Sequence, residues 1–417
     1  MIDKDDWSAR APSLSPVTTE SPSSFLGSIF KDWRHLIYLP IDKTIVATSG
    51  RGMDRIAVIG SGNWGSAAAR LAASNARRLP DFQDEVRMWV HEEKLDTGEQ
   101  LSVVMNNTKE NPKYLPNVKL GPNVVADPNL ESAVKDATML VFIIPNEFIH
   151  GTCKQLKGKI RPNAKGISLI KGMEFTDDGP SLISKKITDL LEIDCSVLMG
   201  ANIANEVAAE KFSEATIGYK DDKQTADKWV KVFGAPYFRV TSIQDLEGVE
   251  LCGTLKNIVA TAAGLVDGLG MGNNTKAAIM RIGLKEMIKL SKLLFPSVQD
   301  ATFIESCGVA DLIASCLGGR NRKVAEAFAK HGGKKSFSEL EGELLKGQKL
   351  KGVVTAAEVF SFLKAKKWEE SFPLFSTVHS IATGQIPPSA IVEYAERTPK
   401  EIEGGPELEE LSSLLST

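Results

Sequence analysis

One stretch, residues 55 to 66, limits what this chain can become more than any other. Ile56 to Ile59 is a short apolar run rich in β-branched residues and reads as a buried strand. Gly60-Ser61-Gly62-Asn63-Trp64-Gly65 follows, then an Ala-rich helix from Ser66 to about Arg77, then a second strand over Val86 to Val90. Glycines at this spacing, between a strand and a helix, mark a dinucleotide-binding turn. Gly60 permits the tight turn, Gly62 lets the backbone approach a pyrophosphate, and Gly65 lets the helix pack closely on the strand. The amides that open the helix then meet the phosphates. An ordinary glycine-rich turn is the competing reading, and the strand–loop–helix–strand context weighs against it. The chain is therefore expected to bind NAD or NADP.

The end of the second strand bears on which of the two. In such units an acid there takes the ribose hydroxyls. Here Val90 is followed by His91, Glu92 and Glu93, so Glu92 or Glu93 is the candidate. No arginine follows to receive a 2′-phosphate, which favours NAD.

Further strands read at Thr138–Pro145, Gly166–Ile170, Ser196–Met199, Ala215–Tyr219 and Tyr237–Thr241, with helical stretches between several of them. That alternation predicts a parallel sheet with both faces covered. After Ser242 the strands stop. Leu246–Leu269, Asn274–Leu294, Cys307–Leu317, Asn321–Lys330, Phe337–Leu345, Ala356–Ala365 and Phe375–Thr383 all read as helices. The expected fold is α/β: an N-terminal Rossmann-like doubly wound sheet over residues 54–242 and an all-α C-terminal domain over 243–398. Residues 1–53 are an extension expected to be disordered or loosely docked. Residues 11–24 are rich in Ser, Pro and Thr, and three Asp within the first six residues argue against a secretory signal or a transit peptide. Residues 399–417 read as an acidic tail.

Composition narrows the partners. The chain is 42% hydrophobic and 25% charged with a net charge of −3, which points neither to nucleic acid nor to an anionic membrane. No run of about twenty apolar residues is read, so no membrane span is expected. Cys153, Cys195, Cys252, Cys307 and Cys316 have no CxxC spacing. They read as reduced thiols in a reducing, cytoplasmic setting, and no metal site is expected.

Three anomalies in the helical half carry the chemistry. Lys256 stands in the middle of a helix that is apolar nearly all round, and a buried ammonium is costly without a partner. No carboxylate lies three or four residues away, so a partner must come from another helix; the competing reading is a lysine that snorkels to solvent. Ser306–Leu317 is an apolar helix with a single acid, Asp311, and Ser315 is one turn further on the same face. Asp311 is the candidate partner of Lys256, against the reading of a surface acid. Gly318-Gly319 then breaks that helix, and Arg320-Asn321-Arg322-Lys323 opens the next. Amides and a guanidinium converging there make an anion site, against a solvated basic turn. Lys171 ends the strand Gly166–Ile170, where carboxyl ends of parallel strands face the ligand crevice.

At this point a family resemblance is evident. Gly60-Ser-Gly-Asn-Trp-Gly-Ser66, Ser168-Leu-Ile-Lys-Gly172, Met199-Gly-Ala-Asn-Ile-Ala204, Leu255-Lys-Asn-Ile258 and Gly318-Gly-Arg-Asn-Arg-Lys323 resemble NAD-dependent glycerol-3-phosphate dehydrogenases of the eukaryotic cytosolic type, over about Arg55 to Thr398. The resemblance implies a reversible NADH-dependent reduction of dihydroxyacetone phosphate to sn-glycerol 3-phosphate, with Lys256 as proton donor and acceptor. It implies Lys171, Asn257, Asp311 and Ser315 as substrate-site neighbours, with Asp311 and Lys171 catalytic beside Lys256. Arg320 and Asn321 would hold the substrate phosphate, Arg320 also lying near the cofactor. Gly60 to Gly65, Phe148 and Ala204 would contact NAD, and Lys349 and Lys351 would lie on a loop that closes over it. Two positions depart from the family pattern: Lys351 replaces the usual Gln, and His91 replaces a common aromatic residue. A homodimer is the assembly implied. The competing functions are another 3-hydroxyacid dehydrogenase, which would need a carboxylate site in place of the Arg320 turn, and a non-catalytic NAD(H) sensor.

Overall fold

The computed structural model describes residues 53–176, 179–345 and 349–396. The expectations for the extension before Met53 and for the tail 399–417 lie outside the described residues. The first half builds β1 (Asp54–Ile59), α1 (Asn63–Ala76), β2 (Phe82–Trp89), α2 (Leu101–Thr108), β3 (Glu110–Asn111), β4 (Leu115–Lys119) and β5 (Val124–Asp127). It continues through α3 (Leu130–Val134), β6 (Met139–Phe142), α4 (Ile149–Leu156), β7 (Lys165–Ser168), β8 (Met173–Thr176), β9 (Gly179–Leu182) and α5 (Ile183–Leu191). β10 (Asp194–Met199), α6 (Ala204–Ala208), β11 (Ser213–Gly218), α7 (Lys223–Phe233) and β12 (Phe238–Ile243) complete it.

Eight of these strands form one sheet in the order β12-β11-β10-β7-β6-β1-β2-β5. β1 lies between β2 and β6 and is parallel to both. The chain's strand order therefore reverses at β1, and ligands enter such sheets in the crevice at that reversal. β1 and β6 are buried along Ile56–Ile59 and Met139–Phe142, because α1 and α4 cover the two faces of the sheet. The sheet corrects two expectations. β10 and β11 are antiparallel, since α6 does not cross the sheet and the chain re-enters from the same edge. The strand read over Thr138–Pro145 ends at Phe142, after which the chain turns through Asn146–Phe148.

The second half is helical: α8 (Leu246–Gly268), α9 (Asn273–Leu294), α10 (Asp311–Gly318), α11 (Arg320–Lys330), α12 (Phe337–Leu345), α13 (Gly352–Lys366) and α14 (Pro373–Ala382). The helix read over Ser306–Leu317 opens with a π turn, Ser306–Ala310, and becomes α-helical at Asp311. α8 is the axis of this half. By length and composition alone it is long and apolar enough to cross a bilayer, but 94% of its apolar window is buried inside the protein, as in the core helix of a globular fold. Buried apolar area is the driving force here. Burial of polar members on α8 is made tolerable by partners. Glu250 is fully buried, pushed up to about 7 by that burial, and accepts from the Ile183 amide at 2.7 Å at the start of α5. That contact fixes the helical half onto the sheet layers. On the other side a Cβ at Gly264 would stand 2.2 Å from the Arg322 carbonyl. α8 and α11 thus pack backbone to backbone, which sets the first residues of α11 beside the middle of α8.

Candidate active site

The glycine loop leaves β1 with Gly60 at φ +126°, where a side chain would be strained and a Cβ would lie 2.3 Å from the Ile143 carbonyl. A Cβ at Gly62 would meet nothing within 4 Å, so that side of the loop is open. No side chain caps α1 at Gly62, and the first amides of a helix have no partner within it. An open, amide-lined helix start at the strand-order reversal fits the pyrophosphate of NAD. The loop's own side chains face other work. Asn63 Nδ2 donates to the Tyr114 carbonyl at 2.6 Å and to Asn205 Oδ1 at 2.8 Å, and Trp64 packs edge-on to Phe238 at 6.1 Å. Ser61 is 7% exposed. The side chains of Asn63 and Trp64 thus hold the turn.

A residue that sequence reasoning missed completes the loop. Asn111, fully buried at the β3–β4 hairpin, donates to the Ser61 carbonyl at 2.8 Å and to Ser66 Oγ at 3.0 Å. Replacing it with Ala is expected to raise the KM for NADH about tenfold with little change in kcat, because two buried acceptors lose their donor and the loop relaxes. Steady-state kinetics at saturating substrate checks this. On the adenine side, Glu92 accepts from the Ser102 amide at 3.1 Å and from the Ser102 hydroxyl, so it anchors the start of α2. Glu93 is paired with Lys113, which holds its carboxyl below the usual range. Of the two candidate ribose acids, Glu92 is thus committed to the fold.

The buried lysine has the cross-helix partner expected of it. Lys256 Nζ pairs with Asp311 Oδ1 and donates to Ser315 Oγ at 2.7 Å. Lys171 Nζ donates to the other carboxylate oxygen, Oδ2, at 3.0 Å and approaches the Gly200 carbonyl at 3.4 Å. One aspartate, 5% exposed, therefore joins two lysines from α8 and from the carboxyl end of β7. Burial, the Asp311 charge and the Lys171 charge act on Lys256, in that order. Burial and Lys171 pull it down, Asp311 opposes them, and the result is about 8. An ammonium with that value gives and takes a proton near neutral pH.

Next to it, Asn321 Nδ2 donates to Asn257 Oδ1 at 2.8 Å, while Asn321 Oδ1 accepts from the Gly352 amide at 2.9 Å. Arg320 stands at the first position of α11. The chain from 349 to 351 divides. Lys351 Nζ reaches across to Asn146 Oδ1 at 2.7 Å and Glu147 Oε2 at 3.2 Å, beside Phe148, which is 61% exposed. Lys349 instead pairs with Glu341 at 3.1 Å on the helical half. Ala204 begins α6, and Asn205 after it accepts from Asn63. Asn202, in the same loop and 7% exposed, has a side-chain nitrogen without a partner among the described residues. Its sequence signal is the Met199–Ala204 motif, in which it stands two residues before Ala204.

Residues 55–225 match the family description NAD-dependent glycerol-3-phosphate dehydrogenase N-terminus, and residues 245–393 match its C-terminus counterpart. A glycerol-3-phosphate dehydrogenase [NAD(+)] of Cuphea lanceolata is 67% identical over 82% of this chain and 92% of that protein. The chain belongs to the NAD-dependent glycerol-3-phosphate dehydrogenase family. A relative in Arabidopsis thaliana, named glycerol-3-phosphate dehydrogenase [NAD(+)] 1, chloroplastic, is 66% identical over 82% of this chain and 86% of its own. The solved glycerol-3-phosphate dehydrogenase of Plasmodium falciparum superposes with a TM-score of 0.80 at 41% identity, covering 84% of this chain and 97% of that one. As a member of this family the chain is an NAD-dependent oxidoreductase, with the Rossmann-like sheet and helical second half that the family's solved structures share.

Proposed function

We propose that Lys256 is the proton donor and acceptor in the reduction of dihydroxyacetone phosphate to sn-glycerol 3-phosphate. The observation that carries this is the buried Lys256–Asp311–Lys171 cluster at the carboxyl edge of the sheet, with the lysine pulled down to about 8. NADH held at the Gly60–Gly65 loop would supply a hydride for the ketone carbon. The ketone oxygen gains charge as that happens, and the Lys256 ammonium offsets the charge and gives it a proton. In the reverse direction neutral Lys256 removes the hydroxyl proton. Asp311 orients the ammonium, Ser315 accepts one of its hydrogens, and Lys171 adds positive charge beside the developing oxyanion. Asn202, whose side-chain nitrogen has no partner among the described residues, is a further donor for this site.

Arg320 and Asn321 at the start of α11 take the substrate phosphate; their place beside Asn257, one residue from Lys256, supports that role. Replacing Arg320 with Ala is expected to raise the KM for dihydroxyacetone phosphate about 10- to 100-fold, the worth of a charged hydrogen bond. An unchanged KM for that substrate in steady-state assays rules the clamp out. The open loop from Gly60 to Gly65, with Phe148 and Ala204 at its rim, receives NAD. Lys351 closes the helical half onto Asn146 and Glu147, while Lys349 is paired with Glu341. The division at residue 242 and the helical substrate domain over 243–398 belong to this reading.

The cytosolic type and a homodimer go with it. Five free, buried cysteines fit a reducing compartment. Imaging a fluorescent fusion in cells distinguishes cytosol from plastid, and light scattering gives the mass of the assembly.

A further inference from the structure

α1 carries the glycine loop at one end and a second feature at the other. A cavity of about 600 Å³ opens there, lined by Arg70, Arg77, Arg78, Lys119, Tyr237 and Glu210 among others. Small-molecule sites commonly have this size. The cavity's wall begins at Arg70, half-way along this 14-residue helix and about 10 Å from the loop, and it shares no lining residue with the lysine cluster or the Arg320 turn.

The charge of this wall is unbalanced. Four cationic side chains face it against one carboxylate. Arg70 is satisfied: it donates to Glu210 Oε1 at 2.6 Å and approaches the Tyr237 hydroxyl at 3.4 Å. Lys119 is paired with Glu110 at 2.9 Å. The two arginines at the helix end are not matched in that way. Arg77 has its nearest carboxylate, Asp84, at 3.8 Å, and Arg78 donates to the neutral Asn75 Oδ1 at 2.5 Å. Two guanidiniums thus stand in one concave site with no hydrogen-bonded acid between them. Forked guanidiniums hold phosphate oxygens in pairs. The end of α1 adds nothing against them beyond its weak C-terminal dipole.

We propose that this cavity is a second anion site, separate from catalysis, which takes a small phosphorylated molecule through Arg77 and Arg78. Tyr237, within the field of both Arg70 and Arg78, offers a hydroxyl to the same ligand. Arg70 also donates to the Ala208 carbonyl at the end of α6, whose Asn205 holds Asn63 of the glycine loop. An occupant that draws on Arg70 would therefore be felt at the cofactor loop.

The test uses the full-length enzyme loaded with NADH and sn-glycerol 3-phosphate, so that both catalytic subsites are filled; NADH fluorescence reads that loading independently. Inorganic pyrophosphate is titrated in by calorimetry. One equivalent is expected to bind, and Arg77→Gln and Arg78→Gln are each expected to weaken it about tenfold while leaving kcat unchanged. No binding to the loaded enzyme overturns the proposal. So does equal binding by both variants, and so does a loss of binding that comes with a loss of kcat.

Discussion

Replacing Lys256 with Ala is expected to lower kcat about a thousand-fold while NADH still binds. The side chain touches no part of the glycine loop; its contacts are Asp311 and Ser315. General acid–base help and stabilisation of the oxyanion are each worth about 10²-fold or more, and both reside in this one ammonium. The substitution also leaves Asp311 with Lys171 as its remaining ion-pair partner, so the fold keeps a neutralised aspartate. Stopped-flow NADH binding and single-turnover reduction separate the two effects. A variant with normal turnover removes Lys256 from the mechanism.

Replacing Asp311 with Asn acts on both stability and rate. Asp311 is the shared counter-ion of two lysines, one of them 5% exposed. Breaking a buried pair by removing one partner leaves a buried charge uncompensated and costs about 3–5 kcal/mol. The sign of the rate effect follows from the causes acting on Lys256. Asp311 is the influence that raises it, so without Asp311 burial and Lys171 pull it further below about 8. Reduction, which needs the protonated lysine, then fails at a lower pH than in the parent. Oxidation, which needs the neutral form, has its rise moved to lower pH. A pH profile that stays in place while thermal stability falls would make Asp311 a structural residue only.

How much of this was legible in the sequence depends on the kind of signal. The glycine loop was readable because its geometry is a local demand: Gly60 at positive φ and the open side at Gly62 follow from a strand running straight into a helix. Lys256 and Asp311 were readable because Lys256 is the one cation in its apolar helix and Asp311 the one acid in its own, and an ion buried in the interior needs another. The residues that were missed are held only by tertiary contacts. Asn111 lies in a two-residue strand with no periodicity to announce it, yet it grips the loop from the side. Glu92 stood at the ribose position and turned out to anchor α2, because Ser102 ten residues on competes for its oxygens. Lys349 and Lys351, two residues apart, go to opposite partners, which no spacing rule predicts. The antiparallel β11 was hidden because strand direction depends on where the connection travels.

The central claim is that a buried, downshifted lysine moves the proton. The pH dependence of kcat/KM for sn-glycerol 3-phosphate oxidation, measured from pH 7 to pH 10, tests it most directly, since it reports the ionisation of the essential base. The account predicts a rise with its midpoint near 8, matching neutral Lys256 as the base. A midpoint at or above 10, where an ordinary lysine loses its proton, or a flat profile across that range, would contradict it.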